Sequence, residues 1–169
     1  TAHGPVVLLD AGATSDSTPE QLVAQAVLGS AYAGALGIDA PRVGLLNVGT
    51  EPAKGDQLRK EAYALLQQTA VRFVGNVEGH DVILGGPADV VVTDGFTGNV
   101  LLKGIEGASG RTDLPQAALL LGVDGLSVVG HGAANADDIA ACIAHAAGLA
   151  RQGLMPRLRA ALDAREEAS

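Results

Sequence analysis

A chain of 169 residues with 47% hydrophobic and 18% charged residues is long enough for one domain with a real core. It has neither the polarity of a disordered chain nor the long apolar run of a membrane span. The formal net charge of -8 leaves no basic stripe to displace counterions from nucleic acid, and 2% aromatic residues offer no stacking platform for bases, so DNA and RNA are excluded as partners.

In chain order, short apolar β-branched runs alternate with Gly-rich turns and Ala/Leu-rich segments of helical period. A strand over residues 6–10 enters Ala11-Gly12-Ala13-Thr14. Thr18 then caps a helix that Pro19 opens and Gly37 stops. Residues 42–48 form the next strand, followed by the loop 49–55 and a helix over 56–70. Strands follow over 72–77 and 89–93, the second leading into Asp94-Gly95-Phe96-Thr97-Gly98-Asn99 and a short helix around 100–105. The stretch 107–119 is turn-like and makes an irregular junction. A last strand over 126–130 exits through His131-Gly132, Asn135 caps a helix running to about residue 152, and a final helix covers 156–165. Alternating strands and helices imply right-handed crossovers and one parallel sheet with helices on both faces. The expected fold is a single doubly wound α/β domain over 1–169.

In such sheets ligands bind outside the carboxyl ends of the strands. Asp10, Asn47, Lys54, Asn76, Glu78, Asp94, Asn99 and His131 all fall at or just past a predicted strand end, nearly all beside a glycine. No GxGxxG follows the first strand and no GxxxxGK[ST] occurs, so neither a dinucleotide nor a Walker-type nucleotide site is indicated and no cofactor is expected. The turns instead suit a small anion: N–H groups at glycines such as Gly55 and Gly98 fix its oxygens while Lys54 and Lys103 offset its charge. Singly, such glycines more often serve only tight packing or positive φ. His131 reads equally as a general acid or base and as a structural hydrogen-bonding histidine. The four histidines show no metal-ligand spacing, no GxSxG elbow supports a serine nucleophile, and Cys142, the one cysteine, permits no intramolecular disulfide and sits in an Ala-rich helix as a small apolar residue. A reducing cytoplasm suits that cysteine usage.

Several of these segments carry a family resemblance. Leu8-Leu9-Asp10-Ala11-Gly12-Ala13, Pro41-Arg42-Val43-Gly44-Leu45-Leu46-Asn47-Val48-Gly49, Lys54-Gly55, Phe73-Val74-Gly75-Asn76-Val77-Glu78-Gly79, the block Asp89-Val90-Val91-Val92-Thr93-Asp94-Gly95-Phe96-Thr97-Gly98-Asn99-Val100-Leu101-Leu102-Lys103 and His131-Gly132 resemble, in the same order, the PlsX phosphate acyltransferases. The resemblance implies a phosphotransacetylase-like fold and transfer of a fatty acyl group from acyl-[acyl carrier protein] to inorganic phosphate for phospholipid synthesis, with no metal or nucleotide cofactor. It also implies a cytoplasmic homodimer loosely associated with the inner face of the membrane, and a chain corresponding to the C-terminal part of a family member.

Two segments depart from the family pattern. The long helical hairpin that follows the Glu106-Gly107 position in members is missing, which removes their usual means of membrane contact. A glycine-rich segment expected before the last strand reads Pro115-Gln116-Ala117-Ala118-Leu119-Leu120-Leu121-Gly122. By position, Asn76 or Asn99 stabilises the tetrahedral oxyanion and His131 protonates the leaving thiolate, with Asp10, Asn47, Glu78 and Asp94 lining the substrate. Two other readings stay open: a non-catalytic half-domain that binds carrier protein or a partner subunit, and an enzyme that uses coenzyme A.

Overall fold

The computed structural model describes residues 5–109, 117–130 and 134–166. Four strands, β1 (Val7–Leu9), β2 (Arg42–Leu46), β3 (Arg72–Val77) and β4 (Val90–Val92), form a parallel sheet in the order β1-β4-β2-β3. The intervening helices are α1 (Pro19–Ala35), α2 (Gln57–Leu66) and α3 (Gly79–Leu84), and α4 (Gly95–Ser109) follows β4. The chain steps outward from β1 to β2 to β3 and then turns back to insert β4 between β1 and β2. With right-handed crossovers that reversal must move the connecting helix to the other face of the sheet.

The cores record the switch. On one face Leu22, Ala26 and Ala33 of α1 and Ala62 and Leu66 of α2 pack on Val43, Leu45, Val90 and Val92. On the other, Val82 of α3 and Leu101 of α4 meet Leu46, Val77 and Val91. Successive residues of β2 and β4 therefore serve opposite cores, as the two-residue period of a strand requires. Leu22, Leu45 and Leu66 are fully buried, each contributing about 1.5–3 kcal/mol of transfer free energy. A Cβ on Gly29 would lie 2.5 Å from Leu9 Cδ1, so this glycine lets α1 settle directly on the sheet.

The capping residues behave as their types predict. Thr18 Oγ1 accepts from the Gln21 N–H while Gln21 Oε1 accepts from the Thr18 N–H, closing a capping box at Pro19. Asn135 Oδ1 accepts from the N–H groups of Asp137 and Asp138, opening α5 (Ala136–Arg151).

The C-terminal segment departs from the sequence expectation. The last strand does not extend the parallel sheet: β6 (Ser127–Gly130) pairs antiparallel with β5 (Ala117–Leu120), a strand the sequence reading did not separate from its junction. Alternating half-buried and exposed residues in β5 suit a two-stranded ribbon with one covered side. Leu119 and Leu126 pack with Tyr32 and Ala35 of α1, Leu149 of α5 and Leu154 of α6 (Leu154–Glu166), fastening the ribbon to α1 rather than to the sheet edge. The helix expected around 100–105 is longer, because it starts at Gly95 directly after the β4 turn. Of the expected irregular junction at 107–119, residues 107–109 are helical and 117–119 are strand, and the part between lies outside the described residues.

Candidate functional site

Because the four strands are parallel, their carboxyl ends share one rim. Asp10 follows β1, Asp94 lies just past β4, Asn47 follows β2 and Asn76 is the penultimate residue of β3, so the four stand in that order across the sheet. At about 4.8 Å per strand spacing the row spans about 14 Å. All four are buried. Glu78 follows β3 and stands ahead of α3, where its N–H donates to the Asp81 carboxylate at 2.9 Å.

The rim is rich in oriented N–H groups, but the chain's own carboxylates occupy the two best arrays. Asp10 folds back on its loop, its Oδ1 accepting from Gly12 and Ala13 N–H at 2.8 Å each and its Oδ2 from Thr14 N–H at 2.7 Å. Asp94 caps α4, its Oδ1 accepting from Thr97 N–H at 2.8 Å and its Oδ2 from the Thr97 hydroxyl at 2.8 Å. The Gly98 N–H donates to the Asp94 carbonyl at 3.0 Å, so it serves the helix and is not directed at a ligand. The Gly95 N–H donates to the Thr14 carbonyl at 2.9 Å, which docks the start of α4 onto the β1 loop.

Arg59 joins this array from the first turn of α2. Its Nη2 contacts Asp94 Oδ2 and lies 3.0 Å from the Thr97 hydroxyl, while its Nη1 donates to Asp56 Oδ2 at 2.7 Å. Burial pushes the Asp94 carboxyl up, but the Thr97 N–H and hydroxyl and the Arg59 guanidinium outweigh it and hold the group below the usual aspartate range. The sequence reading missed Arg59. A usable signal was present, since helical side chains lean toward the N-terminus and a first-turn arginine after a rim loop therefore reaches back to the rim.

The loop between β2 and α2 is held from below by two asparagines. Asn47 Nδ2 donates to the Lys54 carbonyl at 3.1 Å and its Oδ1 accepts from Val48 N–H at 2.8 Å. Asn76 Nδ2 donates to the Glu51 carbonyl at 2.8 Å, and the buried Asn76 Oδ1 has no protein partner. Gly55 has φ +92, and a Cβ there would lie 2.6 Å from Asn47 Oδ1, so glycine lets the loop close over that side chain. Lys54 is exposed on this loop and makes no ion pair among the described residues.

Thus the structure gathers Asp10, Asn47, Lys54, Gly55, Asn76, Glu78, Asp94, Gly98 and Asn99 at one rim. Asn99 donates its amide to the Ala11 carbonyl at 3.1 Å, in the first turns of α4. Lys103 is set apart: it lies eight residues along α4, about 12 Å from the helix start, and pairs with Glu106 at 2.6 Å. His131 lies outside the described residues, and the strand it follows belongs to the separate ribbon. Two open depressions, of about 430 and 440 Å³, lie near the opposite end of the sheet, one beside Tyr63, Val71 and Phe73 and the other beside Gly34, Ile38 and Pro41. Among the described residues no group of three or more His, Cys, Asp or Glu is placed to hold a metal ion, and no helix is long and apolar enough to cross a membrane.

Fold and rim together define an open parallel α/β domain whose polar residues gather where its strands end, the arrangement of a ligand-binding or catalytic domain. Residues 1–114 match the family model described as "Fatty acid synthesis protein". The chain is 41% identical over 197 aligned positions to the phosphate acyltransferase of Desulforamulus reducens, covering 96% of this chain and 59% of that protein. It is 43% identical to that of Thermobifida fusca over 85% of this chain and 51% of the relative, and 58% identical to that of Anoxybacillus flavithermus over 61% and 31%. The chain belongs to this fatty acid synthesis family, that of the PlsX phosphate acyltransferases, and spans about half the length of the curated relatives it matches.

Proposed function

We propose that the chain forms the phosphate-binding side of a phosphate acyltransferase that moves a fatty acyl group from acyl-[acyl carrier protein] to inorganic phosphate. The observation that carries the reading is the likeness, over nearly the whole chain, to proteins named phosphate acyltransferase. The rim adds a chemical reason. Its strongest N–H arrays are already filled by carboxylates, and the exposed Lys54 on its pinned loop is a cation open to a free anion. Two apolar side chains, Val48 at 78% and Phe96 at 67% exposure, follow β2 and open α4 on the same rim and suit the acyl donor.

In this mechanism a phosphate oxygen attacks the thioester carbonyl carbon, the carbonyl becomes a tetrahedral oxyanion, and the C–S bond then breaks. The products are acyl phosphate and the carrier thiolate, which takes a proton. Binding and orientation supply most of the acceleration. Lys54 offsets phosphate charge, and Asn99, exposed with a second amide N–H beyond the one given to Ala11, donates to the oxyanion. Asn76 holds the Lys54 loop from beneath. His131 is assigned the proton for the leaving thiolate, and Lys103 contributes at longer range. The proposal includes a cytoplasmic location and assembly as a homodimer.

The test is to mix the chain with acyl-carrier protein, with and without inorganic phosphate, and follow release of free carrier thiol. Phosphate-dependent release that is faster than with acyl-coenzyme A is expected. A preference for coenzyme A, or no phosphate-dependent release with either donor, overturns the reading for this chain.

A further inference from the structure

Asp56 and Asp94 are used in the same way at two different helix ends. Asp56 Oδ1 accepts from the Arg59 N–H at 2.9 Å, capping α2, and its Oδ2 takes Arg59 Nη1 at 2.7 Å. Asp94 Oδ1 accepts from the Thr97 N–H at 2.8 Å, capping α4, and its Oδ2 takes Arg59 Nη2. A single guanidinium, with its side chain only 12% exposed, thus bridges the two helix N-termini at the centre of the rim. Asp56 is two residues past Lys54, and Asp94 is five residues before Asn99.

From this arrangement we infer that Arg59 is a positioning residue of the anion site. It ties the Lys54 loop to the start of α4 and offsets two carboxylates that otherwise repel an incoming phosphate. The inference rests on the reading that the rim takes phosphate. The planar fork is what the geometry uses, since its two ends reach two carboxylates at once; a lysine supplies the charge but only one compact ammonium. Loss of the fork leaves two uncompensated carboxylates on the rim, one of them two residues past Lys54, so the effect falls on anion affinity as well as on the order of the loop.

Phosphate binding to the chain is measured by calorimetry for the unsubstituted protein, Arg59→Gln, Arg59→Lys and the double variant Arg59→Gln/Asp94→Asn, with amide hydrogen exchange at Thr97 followed without phosphate. Arg59→Gln is expected to weaken phosphate binding about tenfold and to speed exchange at Thr97. Arg59→Lys is expected to fall between, and the double variant to regain most of the affinity because one repelling carboxylate is gone. Unchanged phosphate affinity in Arg59→Gln overturns the inference, as does a double variant no better than the single, which makes the role merely structural. If the unsubstituted chain binds no phosphate, the anion reading fails and the inference falls with it, an outcome distinct from phosphate binding that Arg59→Gln leaves unchanged, which overturns the inference alone.

Discussion

Gly98 lies directly against the Asp10 carbonyl, so closely that a Cβ added to the glycine would stand 1.8 Å from that oxygen. The contact joins Gly98, in the first turn of α4, to the residue after β1, and the atom crowded by a Cβ is a backbone carbonyl, which cannot swing aside. Gly98→Ala is therefore expected to destabilise the fold by about 1–3 kcal/mol, or to displace α4. Gly104 is the internal control: it lies in the same helix with nothing within 4 Å of its added Cβ. Gly104→Ala is expected to stabilise by about 1 kcal/mol through helix propensity. Urea unfolding of the two variants measures both, and equal effects contradict the packing argument.

Asp10 organises the loop that Gly98 rests against. Replacing it with alanine strips the acceptor from Gly12, Ala13 and Thr14 at once, at an expected cost of about 2–3 kcal/mol. Asp10→Asn keeps one acceptor oxygen and should lose less. Denaturant midpoints for the two variants, compared with the native chain, check the order.

At the opposite end of the sheet, where the central strands β2 and β4 begin, Arg42 grips Asp89 with two side-chain bonds, Nε at 3.0 Å and Nη2 at 2.8 Å. Hydrogen bonds from Arg42 hold the Asp89 carboxyl below the usual aspartate range, as Thr97 and Arg59 do for Asp94. A depressed folded-state pKa means that the stability these groups lend is complete above the ordinary aspartate value of about 3.9 and is lost as pH falls through the lower folded value. Asp89→Asn should accordingly flatten the acid loss of stability. Urea unfolding between about pH 5 and pH 2.5 reads the slope, and an unchanged slope counts against the pair.

Lys54 is exposed and makes no ion pair among the described residues, so Lys54→Ala should leave stability within about 0.5 kcal/mol of the native value. Phosphate affinity should nonetheless fall by about tenfold, with a weaker dependence on salt. Calorimetric titration at two ionic strengths tests it, and full affinity in the variant removes Lys54 from the site.

Local chemistry made much of this protein legible from its residues alone. The short apolar run over residues 43–46 marks a strand, and Thr18 with Pro19, like Asn135, marks a helix start, because such runs and helix caps are settled within a few neighbouring residues. The placement of Asp10, Asn47, Asn76 and Asp94 on one rim follows as soon as the strands are parallel.

What tertiary structure alone decided is who partners whom. The turns looked open to an anion, yet Asp10 and Asp94 fill them; Arg59 meets Asp94 across 35 residues, and Arg42 meets Asp89 across 47. The final strand left the parallel sheet for a ribbon on α1 because Leu119 and Leu126 found their apolar cover there. Such choices depend on which distant segments packing brings together, and a local pattern carries no record of that.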